Sequence, residues 1–366
     1  MRGQGHRIFV DELARFAASH FDARVTAIAE RTAAPLRVDV RGRRGVGCRT
    51  VARALDGAGT PAGIVATTEP SGAADIVVYV TAEVVKPEDT EAIAVAARPV
   101  VAVLNKADLV GSLAGRGGDG PIAAARMRCA DLSTRAGVPM EPMIGLLAVA
   151  ALEEGALDGS VWAALRALAA HPAGTACLDG SFAGFLAADL PVPTDVRARL
   201  LDTLDLFGVA LGIAAARQGR TAAQLRTLLR RLSGVDAVIA KVSVLGAEAR
   251  YRRLLDAVAE LEALAVCQPG LGEPISAFLS RDDTVVARMA AALDLAEAAG
   301  LDAGDRVAGD RDPSEHLPRA VRWQRYSRTS VSELHRACGA DIARGSLRLW
   351  SQACGSLPGE PLGEWP

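Results

Sequence analysis

At 366 residues the chain is longer than one compact core usually takes, so two or three domains are expected. Apolar residues make up 50% and charged residues 23%, which excludes a disordered chain, and the formal net charge of −2 leaves no overall field to attract DNA, RNA or an anionic membrane. Aromatics stand at 4%, and Ala, Leu, Val, Arg and Gly dominate, the bias of a GC-rich bacterial coding sequence, so composition carries no further functional weight.

Phe9, Leu13, Phe16, Ala17, His20 and Phe21 recur at helical spacing and predict an amphipathic helix running to Arg31, ended by Pro35. The opening residues hold no apolar core of a leader, so no secretory signal is expected. Leu36–Val40 reads as a strand, followed at once by Gly42-Arg-Arg-Gly-Val-Gly47-Cys-Arg-Thr50 and a helical stretch, Val51–Leu55. Strand, glycine-rich turn, helix is the context a phosphate-binding loop requires. Gly63–Thr67 and Asp75–Val80 are the next strands, the second a β-branched run suited to the middle of a parallel sheet. Pro87 with Glu88 and Asp89 opens a helix, Val100–Leu104 is a further buried strand, Gly111–Gly120 a loop, Ile122–Arg135 a helix, and the region Met140–Leu147 a last strand.

Past residue 150 helical periodicity takes over. Leu200, Leu204, Phe207 and Leu211 share one face, as do Leu225, Leu228, Leu229 and Leu232, with Ser233-Gly234 as a stop. Tyr251, Leu254, Leu255, Val258, Leu261 and Leu264 mark another helix, Gly300–Pro318 reads as a linker, and Trp323, Tyr326, Leu334, Leu347 and Trp350 lie on a final helical segment ahead of a frayed tail from Gly355. The expected division is an N-terminal helix over 1–34, an α/β domain over 35–170, a helical domain over 171–300, and a linker with C-terminal helices over 301–366. The longest apolar runs, Met143–Leu152 and Leu206–Ala216, are about half of a membrane span. A cytoplasmic protein without a transmembrane segment or peripheral membrane contact is therefore expected.

The six cysteines, Cys48, Cys129, Cys177, Cys267, Cys338 and Cys354, show no paired metal spacing and read as reduced, mostly buried thiols. The five histidines are equally dispersed. Arg226, Arg230 and Arg231 read as a solvated helix face, and Asp202, Asp205 and Asp236 as surface or capping residues.

Asn105-Lys106-Ala107-Asp108 carries the strongest chemical signal, because it follows a buried strand directly. A carboxylate at Asp108 can accept from guanine N1–H and the exocyclic amine, a donor pair adenine lacks. Asn105 would orient the loop and bond the base edge, and the Lys106 stem would cover the ring. With the glycine loop, this resembles the Era-like and dynamin-like branches of the TRAFAC-class P-loop GTPases. Their first motif, G-x-x-x-x-G-K-S/T-S/T, aligns through Gly42, Gly45, Gly47 and Thr50, and the resemblance spans about residues 36–150. It implies a P-loop NTPase-like doubly wound parallel sheet, followed by a mainly α-helical region, and a GTP or GDP ligand. A fifth motif would fall at Gly145-Leu146-Leu147-Ala148, where a backbone N–H such as that of Leu147 would reach guanine O6. The segments LLDTLDLFGVALG and LLRRLSGVD also resemble the helical region of bacterial dynamin-like proteins.

The departures from that pattern fall at the phosphate end. Cys48 stands where the family has lysine, and losing charge-assisted bonds worth about 1.5–3 kcal/mol each weakens triphosphate binding roughly ten- to a hundredfold. Arg49 replaces the hydroxyl that would ligate Mg²⁺, although Thr50 follows. The stretch from Thr50 to Asp75 is too short for a switch loop and two strands, and Thr67-Thr68-Glu69-Pro70-Ser71-Gly72 stands where D-x-x-G belongs. The expectation is a pseudo-GTPase with no catalytic residues and a regulatory or scaffolding role, paired with an intact GTPase paralogue or another protein. Two alternatives stay open: an unconventional active enzyme using Arg49 and Thr50, and a purely structural protein with an empty nucleotide site. The flanking arginines and helix N-terminus would also lower the Cys48 pKa if that thiol were reactive.

Overall fold

A computed structural model of the chain describes residues 4–69, 72–110, 121–174, 181–301 and 315–355. The loop expected at Gly111–Gly120, Pro70-Ser71, Cys177, most of the linker expected from Gly300 and the tail beyond Gly355 lie outside them. Two helices, α1 (Gln4–His20) and α2 (Ala23–Ala33), replace the single one expected. The break falls at Phe21, which takes a left-handed φ of 50°, and at Asp22, whose carboxylate caps α2 by accepting from the N–H groups of Arg24 and Val25.

Alternation of strand and helix follows: β1 (Leu36–Gly42), α3 (Cys48–Gly59), β2 (Ile64–Thr67), β3 (Ile76–Ala82), α4 (Pro87–Ala94), β4 (Val100–Asn105), α5 (Pro121–Ala136), β5 (Met140–Pro142) and α6 (Gly145–Leu152). All pairings are parallel, and the five strands lie in the order β2-β1-β3-β4-β5. Chain direction across the sheet reverses between β1 and β3, and in such sheets ligands bind beyond the strand C-termini at that point. The β-branched run of β3 is buried on both faces, as its composition demands. Val77, Tyr79, Ala102 and Leu104 pack under Ile93 of α4 and Cys129 and Leu132 of α5. On the opposite face, α3 buries Val51, Ala54 and Leu55 beside α6.

The last strand is shorter than expected. It stops at Pro142, and the apolar residues from Gly145 on form α6, because a buried run of this length satisfies helix and strand patterns equally and packing decides. Between α3 and β2 stands one 3₁₀ turn, Thr60–Ala62, so the chain passes directly into a strand parallel to β1.

The helices that follow are α7 (Gly159–Ala170), α8 (Phe182–Ala187), α9 (Thr194–Arg217), α10 (Ala222–Ser233), α11 (Val235–Leu245), α12 (Ala247–Cys267), α13 (Pro269–Ser280), α14 (Asp282–Ala298), α15 (His316–Thr329) and α16 (Glu333–Gly355). The predicted apolar face of α9 holds for Leu200 and Leu204 only. Asp205 takes φ 59° and ψ 176°, kinking the helix, and the phase shifts so that Leu206, Val209 and Ile213 are buried while Phe207 and Leu211 are half-buried. On α10, Leu225 and Leu229 are fully buried and Gly234 ends the helix at φ 76°. Arg230 pairs with Asp236 at 2.8 Å and Arg226 reaches the Leu157 carbonyl, so the expected solvated arginine face is partly engaged. Among the described residues no helix is long and apolar enough to cross a membrane.

Two compact units result, residues 35–242 and residues 1–34 with 243–366. Compactness thus joins the sheet to the helices up to 242, and the first 34 residues to the C-terminal helices. In the latter unit, Phe16 stacks on Phe278 with ring centroids 4.7 Å apart, beside Leu13, Tyr251, Leu254 and Ile342. Asp341 is buried there and bonded by Arg288 at 2.7 Å and by the Tyr251 hydroxyl at 2.9 Å.

His6 on α1 is buried facing Arg250 and Arg253 of α12, and burial followed by those two charges lowers its pKa to about 4. The folded protein therefore keeps His6 neutral while the unfolded chain takes up a proton below about pH 6.5. Stability is full above that pH and falls as the pH approaches 4, by about 3 kcal/mol. Urea unfolding across that range should show the loss in the wild type and a flatter profile in His6→Leu; parallel profiles would refute it.

Candidate functional site

Three loops meet at the C-terminal ends of β1, β4 and β5. The first, Gly42–Gly47, leaves β1 and enters α3. Gly42 pairs with Val80, and a Cβ there would stand 2.3 Å from the Val80 carbonyl oxygen. Gly47 caps α3 at φ 94°, where a Cβ would come within 2.4 Å of the Asn105 amide nitrogen. Both positions exclude a side chain, and Gly45 is also left-handed at φ 89°. The first-turn N–H groups of α3 have no intrahelical acceptors, and no side chain caps them.

The second loop starts at Asn105, the last residue of β4. Asn105 is 4% exposed. Its Nδ2 donates to the Val46 carbonyl at 2.8 Å and its Oδ1 accepts the Gly145 N–H at 2.9 Å. One carboxamide therefore ties the glycine loop to the loop after β5. Lys106 takes a left-handed φ of 57° and is exposed, and the 3₁₀ turn Ala107–Leu109 follows. Asp108 is 6% exposed. Burial raises its pKa, its own backbone N–H offsets this in part, and the charge of Asp205 raises it further.

The third loop turns into α6 at Gly145. Its Ile144 N–H donates to the Ser233 carbonyl at 2.8 Å, and Gly234 lies against the Pro142 carbonyl, so the end of α10 braces it. Leu147 is in the first turn of α6; its side chain is fully buried beneath Gly208 of α9, leaving only its backbone N–H for a ligand. Asn105, Gly145 and the glycine loop are thus brought together, with Asp108 in the turn that follows Asn105.

The surroundings of the glycine loop are different. Arg43, next to the first glycine, turns away and donates through Nε to Asp89 at 2.8 Å. Asp89 is fully buried in α4 and also accepts from the Tyr79 hydroxyl at 3.0 Å and the Lys86 N–H at 2.9 Å. Burial pushes its pKa up, but these donors, Arg43 first, outweigh burial and hold the carboxyl below its usual range. Burial and the bond to Asp89 push the Tyr79 phenol up to about 12. Cys48 is half-buried with its sulfur against Gly42, and burial raises its pKa. The lowered pKa expected of a reactive Cys48 is thereby corrected: Arg43 is spent on Asp89, and Arg44 and Arg49 are exposed. Thr50 turns its methyl toward Gly145, and at the end of β2 the Thr67 hydroxyl accepts the Glu69 N–H. Among the described residues this donor set does not fit Mg²⁺.

The sequence pattern missed two groups. The Asp89–Tyr79 lock on Arg43 spans elements far apart in sequence. Asp205, expected as a surface or capping residue, does cap, accepting the Leu206 N–H at 2.6 Å where α9 kinks, but it lies half-buried near Asp108 rather than on the surface; the one local signal was a charge directly before the apolar run Leu206–Ala216. Of the cysteines, Cys129 and Cys338 are buried as expected, whereas Cys267 and Cys354 are exposed. Comparison with protein families, curated proteins and solved structures finds no match for this chain.

Removing the carboxylate in Asp89→Ala leaves the buried Tyr79 hydroxyl without its acceptor, while Arg43, partly exposed, can rehydrate. The expected cost is about 1–3 kcal/mol in urea unfolding. A loss under about 1 kcal/mol would show that the pair is screened by solvent instead.

Proposed function

We propose that this chain is a degenerate P-loop GTPase of the Era-like/dynamin-like kind, a guanine-nucleotide sensor or scaffold that hydrolyses GTP poorly or not at all. The observation that carries this reading is the base end of the site. Asn105 bonds both the glycine loop and the loop after β5, and Asp108 stands buried one turn away. A carboxylate there matches the guanine N1–H and amine, and the first turn of α6 offers N–H groups toward O6. The strand order, with the glycine loop following the strand beside the reversal point, supports the same reading.

Support for weak catalysis comes from the phosphate end. Cys48 is neutral, Arg43 is committed to Asp89, and the turn Thr60–Ala62 leaves no room for a switch segment. What binds at this site would be held by base contacts and backbone N–H groups, so GDP and GTP should bind alike. Function would then pass to a protein partner, an intact GTPase paralogue being the natural candidate, in the cytoplasm. A purely structural role is the second reading, favoured by the near-complete burial of Asn105 and Asp108.

Calorimetric titration with GDP, GTP and ATP, with and without Mg²⁺, tests these readings. The expected result is guanine-specific binding, indifferent to Mg²⁺ and weakened at least about tenfold in Asp108→Asn through loss of a charge-assisted acceptor. No binding at millimolar nucleotide would favour the structural role, and Mg²⁺-dependent turnover at ordinary GTPase rates would overturn the pseudo-enzyme.

A further inference from the structure

Asp108 is more than nine-tenths buried, and the donor that its carboxylate meets among the described residues is its own backbone N–H. A carboxylate so far out of water calls for further donors. The helix α9 comes to the same place. Ala107, the neighbour of Asp108, shares one core with Leu204 and Leu206, and Gly208 lies against Leu147 in the first turn of α6. Asp205 sits between Leu204 and Leu206, half-buried, at a backbone conformation essentially restricted to glycine. Its Oδ1 accepts the Leu206 N–H at 2.6 Å, which leaves Oδ2 for another donor. The charge of Asp205 adds to burial in disfavouring a charged Asp108.

Guanine presents three N–H donors along this edge: N1–H and both hydrogens of the exocyclic amine. The usual pairing of one carboxylate with this edge uses N1–H and one amine hydrogen. We infer that Asp205 is a second base-reading residue, accepting the outer hydrogen of the exocyclic amine, so that the site discriminates guanine from hypoxanthine through two carboxylates. This rests on the guanine reading proposed above. It also assigns a role to the kink in α9: the left-handed turn brings a carboxylate on a core-facing helix to the base edge, where an unbroken helix would place an apolar residue.

The test is a titration of the full chain with GDP and with inosine diphosphate, which lacks only the amine. Wild type, Asp205→Gly and Asp108→Asn are compared, with Asp205→Asn as a fourth protein. Glycine accepts φ 59° and ψ 176° without strain, so Asp205→Gly should fold and melt no lower than wild type. The expected result is a GDP preference over inosine diphosphate that drops roughly tenfold or more in Asp205→Gly, as loss of a bond to a charged acceptor requires. An intermediate drop is expected in Asp205→Asn, whose amide still offers a neutral acceptor; that variant decides the matter if Asp205→Gly does not fold.

An unchanged GDP preference in the Asp205 variants, with GDP binding still lost in Asp108→Asn, overturns the role of Asp205 and leaves the guanine reading standing. No GDP binding by wild type overturns both.

Discussion

The Asn105 carboxamide is the interaction on which the site depends. In the strand order β2-β1-β3-β4-β5, the loops after β1 and β4 are separated by β3, so no backbone ladder joins them. A side chain has to span the gap, and Asn105 does so with its donor on Val46 and its acceptor on Gly145. Both bonds are buried, so removing the side chain would orphan a carbonyl and an N–H, each costing about 1–3 kcal/mol. Gly47 follows from the same contact, because any Cβ would strike the Asn105 nitrogen. The bracing of the third loop by Ser233 and Gly234 holds the far end of this link in place.

Charge is distributed unevenly around that link. Near the glycine loop, Arg43 is turned onto Asp89 and neutralised by it, and the position after Gly47 holds a half-buried, uncharged thiol. Near the base end, two carboxylates approach each other, with Lys106 offsetting the Asp108 charge only in part. The glycine loop therefore carries no inward-facing cationic side chain among the described residues, while acidic acceptors lie on the other side. On the reading proposed above, a ligand matched to this field would be held mainly by its base.

Sequence made the sheet legible because its strands are β-branched runs with buried residues on both faces, as in Val77–Val80 and Val100–Leu104. The glycine loop and Asn105 to Asp108 were legible because their spacing from those strands is fixed by short-range geometry. Other features were not legible because they are settled at long range. Gly145–Leu152 became a helix rather than a strand through packing against α3 and α10, which the apolar run itself does not encode. The kink at Asp205 moved the buried face of α9 from Phe207 and Leu211 to Leu206, Val209 and Ile213, a shift invisible to a periodicity that assumes an unbroken helix. The joining of α1 and α2 with α12 and α14 rests on contacts such as Phe16 with Phe278, more than two hundred residues apart in sequence.

Of the base-end residues, Asp108 bears most directly on function. The fold alone explains Asn105, since its amide satisfies buried backbone groups and would be needed whether or not a ligand ever bound. The fold alone also explains Gly42 and Gly47, which the Val80 carbonyl and the Asn105 amide forbid to carry side chains. Asp108 has no such account. Among the described residues its carboxylate braces no other residue, is disfavoured by burial, and feels the charge of Asp205, so stability by itself would favour an amide or an apolar side chain there. A residue held at a cost to the fold calls for an account outside the fold, and on the guanine reading proposed above that account is the N–H edge of a base.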